Sequence, residues 1–183
     1  MTCSMPTLSR QFMQYNQEQI AVTNAAQKIE LLLLDVDGVL TDGRLYFSKA
    51  GEELKAFHTL DGHGIKMLKN ASVEVGIITG RISKIVEHRA ENLGIDLLLQ
   101  GREDKLEATM EFIFDKSLTL EQVAYVGDDL PDLPAIQQVG LGFSVPNGHE
   151  DIQKAAAAIT ENSGGHGAVR EITDFILKSQ NKY

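Results

Sequence analysis

A mainly parallel α/β sheet is the fold class this chain predicts, and three observations predict it. Apolar runs of strand length recur at residues 31–34, 73–78, 96–99, 122–126 and 140–143. Helix-like stretches separate them, at residues 64–69, 83–93, 104–114 and 131–137, and such alternation reads as βαβ units. The first run, Leu31-Leu32-Leu33-Leu34, has the look of a buried strand and leads straight into two carboxylates, Asp35 and Asp37. In open parallel sheets, ligands gather at the carboxyl ends of the strands.

In chain order, residues 7–29 predict a leading helix, with Leu8, Phe12, Tyr15, Ile20 and Ile29 loosely periodic. Residues 1–29 are then an N-terminal helical segment ahead of one domain over residues 30–183. The stretch from Asp35 to Thr79 is longer than the roughly 30 residues a βαβ unit needs. Its surplus, about residues 43–58, holds Arg44-Leu45-Tyr46-Phe47 and Glu53-Leu54-Lys55-Ala56-Phe57 around a turn containing Gly51. That pattern predicts a β-hairpin, either a flap or an assembly surface beside the acids. Residues 168–177 predict a closing helix, preceded by a glycine-rich turn at residues 162–167.

Composition bounds the function classes. The chain has 183 residues, of which 43% are hydrophobic, consistent with a single domain and a full core. Its formal net charge of −9 argues against nucleic acid as a partner. Cys3 is the only cysteine, so no internal disulfide forms, which fits a reducing compartment. No apolar stretch approaches the roughly 18 residues of a membrane span. The beginning of the chain lacks the apolar core of a signal peptide. The expectation is a cytoplasmic protein with no membrane partner.

Four clusters fall at successive strand ends. Asp35-Val36-Asp37-Gly38 comes first. As the chain turns there, the Asp35 side chain and the Asp37 backbone carbonyl can reach one hard cation, and Gly38 permits the turn. Buried carboxylates repel one another unless positive charge sits between them. Thr79-Gly80-Arg81 follows the second run, offering a hydroxyl and free N–H groups to phosphate oxygens. Lys105 opens a helix against the helix dipole, a position that asks for a local anion. Gly127-Asp128-Asp129 ends the fourth run; one acid suits a metal ligand and the other an orienting role. Each cluster alone also has an ordinary reading as a cap or a solvated charge.

Their order, DxDG, then TG, then Lys, then GDD, resembles the haloacid dehalogenase-like phosphotransferases from about Leu31 to the C-terminus. The resemblance implies a Rossmann-like three-layer αβα fold. It implies that Asp35 is the nucleophile and Asp37 the general acid/base. It also implies that Thr79, Gly80 and Lys105 hold phosphate, and that Asp35, the Asp37 carbonyl and Asp128 bind Mg²⁺. No gap has room for the cap domain many relatives carry, so the expected fold is cap-less with a small hairpin insertion. Asp35–Gly43, the run Phe57-His58-Thr59-Leu60-Asp61-Gly62-His63-Gly64-Ile65, residues 77–81 and residues 164–171 closely resemble the 3-deoxy-D-manno-octulosonate 8-phosphate (KDO 8-phosphate) phosphatases, cap-less tetramers of lipopolysaccharide synthesis. His63 stands where many of these relatives differ.

A sugar acid phosphate carries a carboxylate remote from its phosphate, so cations beyond the phosphate site are expected. Arg81 and Arg89 lie about two helical turns apart and share a face. With Lys66, and with His58, Thr59, Leu60, Asp61 and Gly62 as a lining turn, they form the expected substrate set, to which Asp37, Lys105 and Asp129 also belong. His88, His149 and His166 show no ligand spacing, and no zinc site is read. Three alternatives remain at this point: a phosphatase of a nine-carbon sialic-type acid 9-phosphate, a non-catalytic phosphatase-like assembly module, and a phospho-accepting receiver domain. A homotetramer is expected, its hairpins meeting near the symmetry axis to cover the open sites.

Overall fold

The four leucines form the central strand, β2 (Leu31–Leu34), of a seven-stranded sheet in the computed structural model, which describes residues 13–183. Around it the chain lays down β1 (Met13–Tyr15), α1 (Gln19–Ala26), β3 (Tyr46–Ser48), β4 (Gly51–Leu54), α2 (Thr59–Asn70), β5 (Glu74–Thr79), α3 (Lys84–Leu93) and β6 (Leu97–Gln100). Then come α4 (Lys105–Lys116), β7 (Val123–Val126), α5 (Leu133–Gln138), β8 (Leu141–Ser144), α6 (Glu150–Ala155), β9 (Ala158–Thr160) and α7 (Ala168–Ser179). The sheet order is β1-β9-β8-β7-β2-β5-β6. All neighbours are parallel except β1 on β9.

β2 is buried on both faces. Leu32 and Leu34 pack with Val22 of α1, Ile65 and Leu68 of α2, Val86 of α3 and Ile172 of α7. Leu31 and Leu33 pack with Ala108 and Phe112 of α4, Ile136 of α5 and Ile152 of α6. Each such leucine contributes about 1.5–3 kcal/mol by leaving water. The layers are therefore helix, sheet, helix. Leu34 lies opposite Ile77 of β5 and Val126 of β7, so the three strands run in register, β5 two residues farther, and deliver Asp35, Thr79 and Asp128 to one edge.

Three segments differ from expectation. The leading helix is shorter: residues 13–15 are β1, paired antiparallel with Thr160, Ile159 and Ala158, and helix begins only at Gln19. An unpaired sheet edge offers backbone hydrogen bonds that a loose helical periodicity does not outweigh. Leu8 and Phe12 lie outside the described residues. The expected turn at residues 58–62 is instead the start of α2, with His58 Nδ1 accepting the Leu60 N–H at 3.3 Å. Its glycines serve packing: a Cβ on Gly62 would run into the Arg89 guanidinium, and one on Gly64 into Thr173 of α7. The pair α6 and β9, absent from the sequence reading, folds from an alanine-rich stretch.

The hairpin β3–β4 pairs only with itself among the described strands. Tyr46, Phe47 and Leu54 on it are exposed.

Candidate active site

Asp35 continues β2 by one residue. Its N–H donates to Val126 O at 3.1 Å. Its carboxylate Oδ1 accepts from Lys105 Nζ at 2.6 Å. Lys105, the first residue of α4, also donates to Ile78 O at 2.9 Å and lies 3.3 Å from Asp132 Oδ1. Its ammonium is held for that anion site although it opposes the helix dipole. The chain then turns over Val36–Leu40, closed by Thr41 N–H to Val36 O at 3.0 Å. Gly38 has φ +106°, and a Cβ there would occupy the space of the Asp128 carboxylate. Only glycine lets the two loops meet.

Asp132, which the sequence reading did not select, organises the second loop. Its Oδ1 accepts from Tyr125 Oη at 2.8 Å, and its Oδ2 from the N–H groups of Asp128 at 3.1 Å and Asp129 at 3.3 Å. The signal available was an acid in the first turn after Gly127-Asp128-Asp129, beside Pro131. Oxygens of Asp35, Asp128 and Asp132 all lie within 4.8 Å of one another. Burial pushes Asp35 up to about 7, partly offset by Lys105. Burial, with Asp35 and Asp132 adding repulsion, pushes Asp128 up to about 8. A crowd of hard carboxylate oxygens that repel one another fits a divalent oxygen-seeking cation such as Mg²⁺. Asp132 is already committed to its donors, so Asp35 and Asp128 are the carboxylates open to an ion.

Facing these acids is a cleft of about 200 Å³ lined by Asp35, Asp37, Thr79, Gly80, Arg81 and Lys105, with Asp128, Asp129, Pro131 and Asp132 closing the far side. Thr79 is buried at the end of β5, its Oγ1 accepting from the Arg81 N–H at 3.4 Å. Glu103 also lines the cleft, unforeseen from the sequence. Asp37 has partners different from those of Asp35. Its Oδ1 pairs with Lys55 Nζ and its Oδ2 lies 3.7 Å from Arg81 Nε. Lys55 too was missed; nothing local in Glu53-Leu54-Lys55 marks it. Asp129 is exposed and caps the next turn, accepting from Leu130 N–H at 2.8 Å.

The remaining expected substrate residues lie outside this cleft lining. Arg89 donates to His58 O at 3.4 Å and stands over the Phe57 ring, 5.3 Å from its centroid. Asp61 is buried, and its Oδ1 accepts the Arg170 N–H at 2.7 Å, tying α2 to the start of α7. Gly62 abuts Arg89. Thr59, Leu60 and Lys66 are exposed on α2. The glycine-rich segment packs on its own chain: Gly165 N–H donates to Val39 O at 3.0 Å. Asn147 bridges the two loops, donating to Gly38 O at 2.9 Å and accepting from Gly164 N–H at 2.7 Å.

The chemistry this arrangement supports is attack by a fixed carboxylate on a phosphoryl group, with cationic and N–H donors around it. Residues 98–172 match the family model of haloacid dehalogenase-like hydrolases. The chain is 48% identical over 161 residues to a 3-deoxy-D-manno-octulosonate 8-phosphate phosphatase of Yersinia pestis, covering 88% of this chain and 86% of that protein. The crystal structure of a Yersinia pestis phosphatase of that name superposes with a TM-score of 0.87, covering 88% of each chain. That of the Moraxella catarrhalis phosphatase, in complex with magnesium, phosphate and KDO, superposes with a TM-score of 0.87 at 44% identity, covering 89% of this chain and 94% of that one. Fold, strand-end acids and whole-chain likeness thus agree: this chain belongs to the 3-deoxy-D-manno-octulosonate 8-phosphate phosphatase family of haloacid dehalogenase-like hydrolases.

Proposed function

We propose that this protein hydrolyses KDO 8-phosphate to KDO and phosphate through an aspartyl phosphate on Asp35, in lipopolysaccharide biosynthesis. The observation that carries the reading is the delivery of Asp35, Asp37, Thr79, Lys105 and Asp128 to one cleft at the carboxyl edge of the sheet. Asp35, pinned by Lys105, is aimed as the nucleophile; a covalent intermediate splits a hard hydrolysis into two easier steps. Thr79, Gly80 and Lys105 surround the phosphoryl oxygens with donors and charge. Asp37 gives its proton to the departing sugar oxygen and then takes one from the attacking water. Asp35, Asp128 and the Asp37 carbonyl would hold Mg²⁺, which when bound neutralises charge on the transferring group.

Arg81, which lines the cleft, is our candidate for the remote carboxylate, with Arg89, Lys66 and residues 58–62 as further members of the substrate set. Asp129 completes the substrate set. We also infer a homotetramer, supported by the exposed apolar hairpin, and a cytoplasmic home, supported by Cys3 as the only cysteine. Among the described residues, no helix is long and apolar enough to cross a membrane.

The test is a phosphate-release panel with and without Mg²⁺, comparing KDO 8-phosphate, a nine-carbon sialic-type acid 9-phosphate and p-nitrophenyl phosphate. KDO 8-phosphate should give the highest kcat/KM, chelation should remove activity, and Asp35→Asn should abolish turnover with circular dichroism unchanged. Preference for the nine-carbon ester would reassign the substrate. Substantial turnover by Asp35→Asn would remove the covalent mechanism.

A further inference from the structure

Lys55, the residue directly after β4, is a buried cation beside exposed hairpin residues. It is 6% exposed, whereas the adjacent Leu54 is 54% and Phe47 62% exposed. An ammonium leaves water at high cost unless a partner compensates. Here Lys55 Nζ reaches out of the hairpin to Asp37 Oδ1. The other oxygen, Oδ2, faces Arg81, 3.7 Å away at the edge of the cleft. The two oxygens of one carboxylate are thereby made unequal: Oδ1 is held by Lys55, and Oδ2 is the more loosely engaged, beside a residue that lines the cleft.

We propose that Lys55 is a positioning residue for the reaction: by pinning Oδ1 it aims Asp37 Oδ2 at the ester oxygen, so that Oδ2 carries the transferred proton in both half-reactions. This rests on Asp37 being the general acid/base. In the first half, a bond forms from an Asp35 oxygen to phosphorus and the phosphorus–sugar oxygen bond breaks. The bonding pair goes to the sugar oxygen, which takes the proton from Asp37 Oδ2. The products are the free alcohol, the Asp35 acyl phosphate and an Asp37 carboxylate. In the second half, water attacks phosphorus and gives its proton to Oδ2, and the Asp35 carboxylate leaves with its bonding pair. Phosphate is released and both acids return to their starting forms.

The consequence is that the hairpin takes part in catalysis within its own subunit, whatever it contacts in an assembly. Orientation of an acid by a second group is needed wherever proton transfer is concerted with bond cleavage, since small misplacement is costly. A cation that merely anchored the hairpin would affect all substrates alike. A cation that aims the acid would matter most where the leaving group cannot depart as an anion. This contrast separates the two roles.

The experiment measures kcat/KM of Lys55→Met, Lys55→Arg and Asp37→Asn at saturating Mg²⁺, on KDO 8-phosphate and on p-nitrophenyl phosphate. The sugar alkoxide needs a proton to leave; p-nitrophenolate does not. With Lys55→Met, which keeps length but not charge, the sugar ester should lose on the order of 100-fold, the lower range of general-acid effects, and the aryl ester far less. Lys55→Arg should recover part of the sugar-ester loss. Equal losses on both esters, or none on either, overturn the proposal. If Lys55→Met fails to fold by circular dichroism, Lys55→Gln and Lys55→Arg are read by the same ratio. Asp37→Asn separates the two ideas. The same ester-selective loss there, without one in the Lys55 variants, removes Lys55 alone; no selective loss in Asp37→Asn removes the role of Asp37 and with it this proposal.

Discussion

Burial lifts the carboxyl groups of Asp35 and Asp128 well above the usual carboxylate range. With burial raising them to about 7 and about 8, against roughly 4 in an unfolded chain, the folded metal-free protein binds more protons than the unfolded one between those limits. Its stability therefore falls as pH rises from about 4 toward 8. Binding a divalent cation requires the anions and expels the protons. Calorimetric titration of the metal-free protein with Mg²⁺ near pH 7, in buffers of different ionisation enthalpy, should show proton release. Mg²⁺ should raise Tm more at pH 8 than at pH 6; an equal gain at both would contradict the shifted acids. The arginines separate as well. Arg81→Ala should raise KM for the sugar acid phosphate by about 10–100-fold, the cost of one charge-assisted hydrogen bond of roughly 1.5–3 kcal/mol. It should affect p-nitrophenyl phosphate much less. Arg89→Ala removes the His58 carbonyl bond and the Phe57 contact too, so its Tm should also fall. The positions of Asp35, Asp37, Lys105 and Asp128 were legible because each stands where an apolar run stops or a helix opens. Lys55 was not, because Asp37 is reached only through tertiary approach; Asp132 was not, because its contacts to Tyr125, Asp128 and Asp129 depend on how that loop folds back on itself; and Glu103 joins the cleft lining only once the strands are assembled.

Among the elements, the loops that surround the cleft are cross-linked by one amide. Asn147 joins the turn after β2 to the glycine-rich segment before α7, and His149 N–H bonds Asp128 O at 2.7 Å from the same loop. Asn147→Ala strands a carbonyl and an N–H that water only partly satisfies, a cost of about 1–3 kcal/mol. A drop in Tm of about 2–12 °C is expected for a chain of this size. Asn147→Asp keeps the acceptor for Gly164 but loses the donor to Gly38, so it too should fall, by less. Unchanged Tm in both would show that the bridge is not used in solution. The central elements were readable because four apolar residues in a row suit a strand with cover on both faces. Strands β1 and β9, three residues each, hold no pattern of their own and exist because they pair. The first turn of α2 was hidden by Gly62 and Gly64, whose low helix propensity is offset by the close approach of α3 and α7.

For the whole molecule, the hairpin is a feature that the single chain leaves uncovered. A two-stranded ribbon is marginal alone in water, and Phe47 and Leu54 on it are exposed. Substituting both by serine, with Lys55 kept, should yield smaller species than the unsubstituted protein gives by light scattering, and lower activity on the sugar acid. An active wild-type monomer at micromolar concentration would remove the tetramer. The net charge of −9 favours solubility of the dissociated form, so precipitation should not obscure the result. The α/β class was legible because alternation is a property of the chain; the order β1-β9-β8-β7-β2-β5-β6 was not, because it is a property of pairing. That order bears on how the protein is made. β2 leaves the ribosome early but sits between β5 and β7, and β7 ends at Val126. Until that residue emerges, a strand of four leucines has one edge open, the kind of surface that seeds aggregation during synthesis. Asp128 emerges later still. A chain cut short before it is therefore a hazard to its cell rather than a fraction of an enzyme, and synthesis of the last third is what makes the first third safe.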